Sequence, residues 1–251
     1  MTKVGLFVTC LVDLMRPSVG FAAVKLLKAA GCDVHVPRAQ TCCGQPAWNA
    51  GDDAHAAAIA RQVVDAFEEF DYVVAPSGSC AGMLKNHYPN VLAHDTAYAA
   101  RAQALAAKSH ELVSFLVNER GMDHVIARCE ARACYHDSCS ALREMGVKPE
   151  PRQLLASVQG LDLEELKDGE VCCGFGGLFS VKYSEISERM ADDKIADAVA
   201  TGADTLIGPD LGCLLHLAGR MERDGKKMHV RHIAEVLAGM ADAPGLGEGE
   251  A

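Results

Sequence analysis

The chain carries the same arrangement of cysteines twice. At offsets of 129 to 133 residues the first set recurs in the second, with Cys10 as Cys139, Cys42-Cys43-Gly44 as Cys172-Cys173-Gly174, and Cys80 as Cys213. Around the last pair whole segments align, with Asp71–Cys80 beside Asp204–Cys213. A period this long exceeds the ~20–50 residues of solenoid repeats, so duplication of one domain is the simpler explanation.

The duplication predicts two tandem domains of similar structure. The first would span residues 1–125 and the second residues 126–240, with the boundary in the polar stretch 121–132. Residues 241–251 are rich in Gly and Glu, and we expect them to form a disordered tail. In a chain of 251 residues, each domain is long enough to bury a core of its own.

Each copy alternates apolar runs with helical patterns. In the first copy, Asp53–Phe70 places Ile59, Val63 and Phe67 on one helix face, and Asp71–Ala75 is typical of a buried strand. The same reasoning predicts further helices at 19–30, 110–120, 180–201 and 233–240, and further strands at 4–8, 32–37, 131–136, 205–208 and 228–231. Strands that alternate with helices predict an α/β fold with mainly parallel sheets.

The cysteines of both copies lie where such a fold binds ligands. Cys10, Cys80, Cys139 and Cys213 each follow a predicted strand, and both Cys-Cys-Gly motifs lie in strand-to-helix loops. Ligands of parallel sheets bind at the carboxyl ends of the strands. We therefore expect four cysteines of each copy to converge at one end of its sheet.

Charge and apolar content exclude several classes of function. Asp and Glu outnumber Lys and Arg by 34 to 24, which gives a net charge of −10, and aromatic residues make up 5%. Nucleic-acid binding usually needs a basic surface or a stacking platform, so nucleic acid is not an expected partner. The sequence shows no export signal and no apolar run of the ~18 residues that cross a bilayer. We expect a cytoplasmic location without a membrane span.

The cysteine pattern favours a metal centre over disulfides. Eleven cysteines in a chain expected to be cytoplasmic should stay reduced. Structural zinc sites often use a C-x-x-C knuckle, which this sequence lacks. Adjacent cysteines suit an iron–sulfur cluster, because neighbouring thiolates can each bind a different iron, and the glycines after each pair let backbone N–H groups approach sulfide. An iron–sulfur site is favoured, while zinc and packing or redox thiols remain open.

Five segments resemble one known family. They are Phe7–Asp13, Thr41–Ala47, Pro76–Cys80, Cys172–Gly177 and His232–Leu237. The paired Cys-Cys-Gly units are similar to the cysteine-rich CCG domain that occurs in heterodisulfide reductase, in the iron–sulfur component of glycolate oxidase and in anaerobic glycerol-3-phosphate dehydrogenase. The closer similarity, over residues 3–238, is to the LutA/YkgE-type family of lactate-utilisation proteins.

The resemblance implies an iron–sulfur component of a multi-protein system that oxidises L-lactate to pyruvate. Its substrate would be a small 2-hydroxy acid, and its partners a ferredoxin-like iron–sulfur subunit and a third component. One cluster per domain, expected to be [4Fe–4S], would be bound by the eight cysteines Cys10, Cys42, Cys43, Cys80, Cys139, Cys172, Cys173 and Cys213.

Both copies depart from the fullest form of the family's motif. Where that form has a further cysteine in a C-x-x-C, this chain has Ser77 in the first copy and Asp210 in the second. Asp210 is a candidate oxygen ligand. With four thiolates per copy, zinc in one site is the alternative to a second cluster.

Residues beside Cys139 supply the candidate catalytic groups. His136 and Asp137 could handle the protons that a 2-hydroxy acid loses on oxidation. The alternative is that they orient the loop through hydrogen bonds. The cysteines outside the repeated pattern are expected to have other roles, Cys32 and Cys134 in packing and Cys129 as a surface thiol of the linker.

Two other functions compete with lactate oxidation. One is disulfide reduction of the heterodisulfide-reductase type, and the missing fifth cysteines weigh against it. The other is a zinc-bound assembly module without redox activity, which the metal content of the protein would distinguish.

Overall fold

The computed structural model describes residues 1–248 and contains two four-stranded parallel sheets. Their strands are β1 (Thr2–Leu6), β2 (Cys32–His35), β3 (Tyr72–Ala75), β4 (Ser109–Glu111), β5 (Arg128–Tyr135), β6 (Gln159–Glu164), β7 (Thr205–Gly208) and β8 (His229–His232). The strand order is β2-β1-β3-β4 in the first sheet and β6-β5-β7-β8 in the second. The same topology thus occurs twice, which confirms the predicted duplicated α/β fold.

Helices connect the strands in both halves. In the first half they are α1 (Cys10–Met15), α2 (Pro17–Ala29), α3 (Gln45–Ala50), α4 (Asp53–Phe67), α5 (Gly78–Gly82), α6 (Tyr88–Val91), α7 (Ala99–Ala107) and α8 (Leu112–Ser114), with π-helical turns at Met83–His87 and Phe115–Glu119. In the second half they are α9 (Cys139–Arg143), α10 (Pro149–Leu155), α11 (Leu178–Lys182), α12 (Ser184–Ala200), α13 (Leu211–Arg223) and α14 (Ile233–Leu237).

Helix α4 shows how local sequence directs the packing. The carboxylate of Asp52 caps the helix by accepting a hydrogen bond from the backbone N–H of His55 at 3.2 Å. Val63 and Phe67 of the predicted apolar face are fully buried, whereas Ile59 is only partly buried. This face packs against the first sheet, where Phe67 contacts Phe7 with ring centroids 5.6 Å apart.

Backbone hydrogen bonds establish which residues of the two copies are equivalent. Beyond β1, the N–H of Phe7 donates to the carbonyl of Val74 at 2.8 Å, and beyond β5 the N–H of His136 donates to the carbonyl of Ile207 at the same distance. Phe7 and His136 therefore occupy the same place in the two sheets, three residues before the first cysteine of each set.

The secondary structure differs from the prediction at two places. The helix expected over 110–120 begins only at Leu112, because Ser109–Glu111 pairs with β3 as the short strand β4. Three residues are too few to show the alternating pattern of a strand. Strand β6 was not predicted either; it is an edge strand whose residues are exposed or half-buried, so it lacks an apolar run.

One hydrophobic core cluster contains residues of both halves, and a second cluster is built from buried residues of the first half. Helix α14 of the second half packs against α2 of the first. At this contact, the buried carboxylate of Glu235 accepts hydrogen bonds from Arg16 Nε at 2.9 Å and Ser18 Oγ at 2.6 Å. The fold therefore ties the end of the second half to the beginning of the first.

Residues 241–248 differ from the expected disordered tail. Leu246 is buried, and its N–H donates to the carbonyl of Val230 in β8 at 2.8 Å. The guanidinium of Arg16 donates to the carbonyl of Pro244 at 2.7 Å. These contacts hold the segment against the second sheet; residues 249–251 of the predicted tail lie outside the described residues. Within residues 1–248, no helix combines the length and the apolar character needed to cross a membrane.

Candidate metal centres

Four cysteines of the first half converge beyond the carboxyl ends of β1, β2 and β3. Cys10 begins α1, Cys42 and Cys43 lie in the loop before α3, and Cys80 lies in α5. The Sγ atoms of Cys10 and Cys42 are 3.9 Å apart. Cys43 lies close enough to both Cys42 and Cys80 for these neighbours to raise its pKa. Cys43 and Cys80 are buried, whereas Cys10 and Cys42 are half-exposed.

Glycine shapes the loop that carries the cysteine pair. Gly44 has φ of 82°, which favours glycine, and a side chain there would meet Ile59 at 3.3 Å. This turn directs the N–H of Gly44 at the Sγ of Cys42, 3.5 Å away. The Cys-Cys-Gly motif therefore supplies a backbone donor together with its thiols.

The second half builds the same site. Cys139 begins α9, Cys172 and Cys173 lie in the loop before α11, and Cys213 lies in α13. The Sγ atoms of Cys139 and Cys172 are again 3.9 Å apart, and the N–H of Gly174, at φ of 88°, lies 3.4 Å from the Sγ of Cys172. The eight cysteines of the repeated pattern thus form two groups of four.

In each group one thiol is favoured as the thiolate. Hydrogen bonds from Cys10 and Cys43 lower the pKa of Cys42 well below its ordinary value. Donation to Cys42, together with burial, raises the pKa of Cys10 and of Cys43. The second group repeats this division, with the pKa lowered at Cys172 and raised at Cys139 and Cys173. Metals bind thiolates, so loading would have to displace the protons that the other thiols retain.

The donor set fits a thiophilic metal or an iron–sulfur cluster. Four converging sulfur atoms are the ligands that zinc and iron–sulfur clusters share. Two thiolates bound at about 2.3 Å to one tetrahedral ion lie about 3.8 Å apart, close to the spacing of Cys10 and Cys42. These clustered cysteines therefore suit metal or iron–sulfur binding.

His136 joins the second group of thiols. Its ring is completely buried, and one of its nitrogens lies within 4.8 Å of the Sγ atoms of Cys173 and Cys213. Neither ring nitrogen has a hydrogen-bond partner among residues 1–248. Burial, reinforced by the positive charge of Lys194, lowers the pKa of His136 to about 4, so the imidazole is neutral at pH 7.

Asp137 forms an ion pair with Arg152. Its buried carboxylate accepts two hydrogen bonds from the guanidinium of Arg152, at 2.9 and 2.8 Å. Such a paired contact orients the segment before α9, which is the alternative role expected for this residue. The two residues expected to act together therefore have different surroundings.

Asp210 is engaged by donors from both halves of the chain. One carboxylate oxygen accepts hydrogen bonds from the Oγ atoms of Ser77 at 2.6 Å and Ser79 at 2.8 Å. The other accepts from the N–H of Ser79 at 3.1 Å and from Ser138 Oγ at 2.9 Å. Two bonds to each oxygen occupy its lone pairs, which favours a structural role over metal ligation.

The remaining cysteines lie outside both groups. Cys32 at the start of β2 and Cys134 in β5 are buried in the hydrophobic core, as expected for packing residues. The prediction that Cys129 is a surface thiol is wrong, because it lies in β5 and is buried. The assumed linker extended too far, since β5 already begins at Arg128.

Sequence reasoning missed the part that His136 plays in the second group. The signal was present, because the offset of 129 that aligns Cys10 with Cys139 also aligns Phe7 with His136. The cysteine pattern alone does not include this position. A histidine that replaces a phenylalanine beside a thiol pair would have indicated a difference between the sites.

Comparisons with known proteins agree with this architecture. A family described as a cysteine-rich (CCG) domain matches residues 4–85 and again residues 133–218. "Lactate utilization protein A" of Bacillus cytotoxicus is 49% identical over 235 residues, which cover 94% of this chain and 98% of that protein. The protein of the same name from Geobacillus kaustophilus is 52% identical with the same coverage.

Similarity to solved structures is low. An aspartate racemase homologue from Pyrococcus horikoshii aligns over 95% of this chain and 96% of its own, with a TM-score of 0.28 and 12% identity. The assignment therefore depends on the two matched segments and on the relatives of nearly full length. The chain belongs to the family of proteins with two cysteine-rich CCG domains that includes the lactate utilization proteins A.

Proposed function

We propose that this chain is the iron–sulfur component of a multi-protein system that oxidises L-lactate to pyruvate. The observation that carries the proposal is the convergence of four cysteines in each half of a chain that is 49% identical, over 94% of its length, to a lactate utilization protein A. Oxidation of lactate releases two electrons and two protons, so the system needs groups that accept electrons.

The residues that would hold the clusters are the two groups of four cysteines, one [4Fe–4S] cluster to each half. A bound cluster would supply one-electron acceptance and donation. Cys43, Cys80, Cys173 and Cys213 are buried and would exclude water, while Cys10, Cys42, Cys139 and Cys172 are half-exposed. The half-exposed side of each site would face the partners, a ferredoxin-like iron–sulfur subunit and a third component.

The cysteine content supports a reducing compartment. All eleven cysteines are free thiols in the structure. Free thiols in this number persist where disulfides are kept reduced. We therefore propose that the protein acts in the cytoplasm.

Metal analysis is the first test of the proposal. After anaerobic purification we expect about eight irons per chain, with matching sulfide, and an EPR signal that appears on reduction with dithionite. Cys43→Ala and Cys173→Ala should each remove half of the iron. Cys32→Ala, at a buried thiol outside both groups, should leave it unchanged. Zinc without iron or sulfide would refute the electron-transfer role.

Substrate oxidation is tested with the assembled system. The chain, mixed with the two proposed partners, should reduce an artificial acceptor when L-lactate is added, and omission of the chain should abolish the reaction. Glycolate in place of lactate tests the choice of 2-hydroxy acid. Reduction of an added disulfide without any response to lactate would favour the heterodisulfide-reductase type of chemistry instead.

A second candidate is a zinc-bound assembly module. It is favoured by the 3.9 Å spacing within each group, which suits two thiolates on one tetrahedral ion. On this alternative the redox chemistry belongs to the partners. The same metal analysis decides between the two, because only the first proposal requires iron and sulfide.

A further inference from the structure

The two cysteine groups differ in one residue that approaches the thiols. Backbone pairing places His136 in the second half where the first half has Phe7. Phe7 is buried and packs against Phe67, with ring centroids 5.6 Å apart. The ring of His136 is equally buried, but it lies beside Cys173 and Cys213 with a nitrogen within 4.8 Å of both Sγ atoms.

The imidazole of His136 has no hydrogen-bond partner among the described residues, unlike that of the buried His232. His232, which is also buried, lies 3.2 Å from the carbonyl of Pro76 and 3.0 Å from that of Pro209 through Nε2, and accepts from the N–H of Ala234 through Nδ1. Neither nitrogen of His136 has such a partner among the described residues. A buried polar atom without a hydrogen bond is destabilising, so an unpaired imidazole beside two thiols indicates a missing partner.

The helices that pack against the two cysteine pairs, α4 and α12, also differ in the polarity of their buried residues. The buried positions of α4 and α12 correspond at an offset of 131 residues, which aligns Val63 with Lys194 and Ala56 with Ser187. Lys194 donates to the carbonyls of Asp168 and Gly169, in the segment just before the second cysteine pair. The second site is therefore polar at positions where the first is apolar.

We propose that His136 is a nitrogen ligand of the metal centre held by Cys173 and Cys213. The second centre then has a mixed sulfur and nitrogen ligand set, whereas the first, with Phe7 at the equivalent position, has sulfur alone. This inference rests on the proposed function only in requiring that the cysteine groups hold a metal.

Pulsed EPR of the reduced, iron-loaded chain tests the proposal. We expect a strong ¹⁴N coupling that exchange into D₂O leaves unchanged, and its loss in His136→Phe, which introduces the residue of the first copy. His216→Gln is the matched control, since His216 is also near the second site but bonds to Ser187 Oγ at 3.3 Å. A coupling that persists in His136→Phe, or one that is weak and accompanied by an exchangeable proton, would overturn ligation.

X-ray absorption of the zinc-loaded chain tests whether His136 binds the metal even if the proposed electron-transfer function is wrong. If the chain takes up zinc but no iron, the electron-transfer role fails, and the zinc spectrum then decides the role of His136. A nitrogen contribution that disappears in His136→Phe and persists in His216→Gln supports the inference. A spectrum with sulfur ligands only, in the unaltered chain, would refute it.

Discussion

The hydroxyl of Ser77 donates a 2.6 Å hydrogen bond to the carboxylate of Asp210, although the two residues are 133 positions apart in the chain. They occupy the same place in the two copies, directly before the helices that carry Cys80 and Cys213. The positions at which the family's fullest motif has an extra cysteine are thus used here to join the two sites. This contact holds together the starts of the two helices that carry Cys80 and Cys213.

Asp210→Asn should loosen both sites together. The amide keeps the shape of the carboxylate but presents an NH₂ group to donors such as the N–H of Ser79, so at least one buried donor loses its acceptor. We expect a loss of about 2–4 kcal/mol in the free energy of unfolding, measured by urea denaturation of the metal-free chain. Ser138→Ala removes a single neutral donor and should cost about 1 kcal/mol. Equal losses for the two variants would contradict the central role of Asp210.

Gly78→Ala should separate the two halves locally. A Cβ at Gly78 would lie 2.5 Å from the Cβ and 2.6 Å from the backbone nitrogen of Ala141, in the opposite half. Relief requires backbone movement, so we expect a destabilisation of about 1–3 kcal/mol. The control is Gly219→Ala in α13, where a Cβ meets nothing within 4 Å, and where we expect a gain of about 0.5–1 kcal/mol. Thermal unfolding of both variants measures the difference.

Glu111 should make the protein less stable as the pH rises towards neutrality. Complete burial raises the pKa of its carboxyl from 4.5 to about 7, because the charged form loses its hydration. The folded state therefore binds the proton more tightly than the unfolded state. The stabilisation from this group is complete below pH 4.5 and is lost progressively as the pH rises to about 7, by about 3 kcal/mol in all.

Glu111→Gln tests this dependence, since the amide oxygen can still accept from the N–H of Ser114. The variant should flatten the decline in the free energy of unfolding between pH 5 and 8 and should be the more stable protein at pH 8. Glu119→Gln, at an exposed carboxylate, serves as the control and should leave the curve unchanged. A decline of the same size in Glu111→Gln would assign the pH dependence to other groups.

Metal uptake should release protons. One thiol of each group is favoured as the thiolate, and its neighbours keep their protons because they donate to it and are buried. Titration calorimetry with zinc, in buffers of different ionisation enthalpy, should report more than one proton released per site near pH 7, and affinity should weaken as the pH falls. Cys32→Ala should behave as the unaltered chain. Binding without proton release would show that the thiols are already ionised.

Local patterns predicted much of the fold and of the cysteine groups. The apolar face of α4 and the repeated Cys-Cys-Gly loops follow from residues close together in the chain, so periodicity and spacing were sufficient. Strand β6 was not predicted, because an edge strand lacks the apolar run of a buried strand. Cys129 was misplaced because nothing local marks where β5 begins.

The contacts between the halves could not be predicted from the same patterns. The bonds of Asp210 to Ser77 and Ser79 depend on how the two sheets are placed relative to each other, and no periodicity encodes that placement. Within the second half, the ion pair of Asp137 with Arg152 also joins residues that no local pattern links, since it connects the segment before α9 to helix α10. Residue types alone suggested a catalytic pair at His136 and Asp137, whereas the packing gives each a separate environment.

The contact of α14 with α2 has a consequence for the order of folding during synthesis. Helix α2 is synthesised early. Helix α14, which packs against it, can leave the ribosome only after residue 237 has been translated. Until then Arg16 has no buried carboxylate to pair with, and apolar surface of the first half stays exposed to solvent. A ribosome stalled within the second half should therefore present a nascent chain that depends on chaperones, and its dependence should end once Glu235 has emerged.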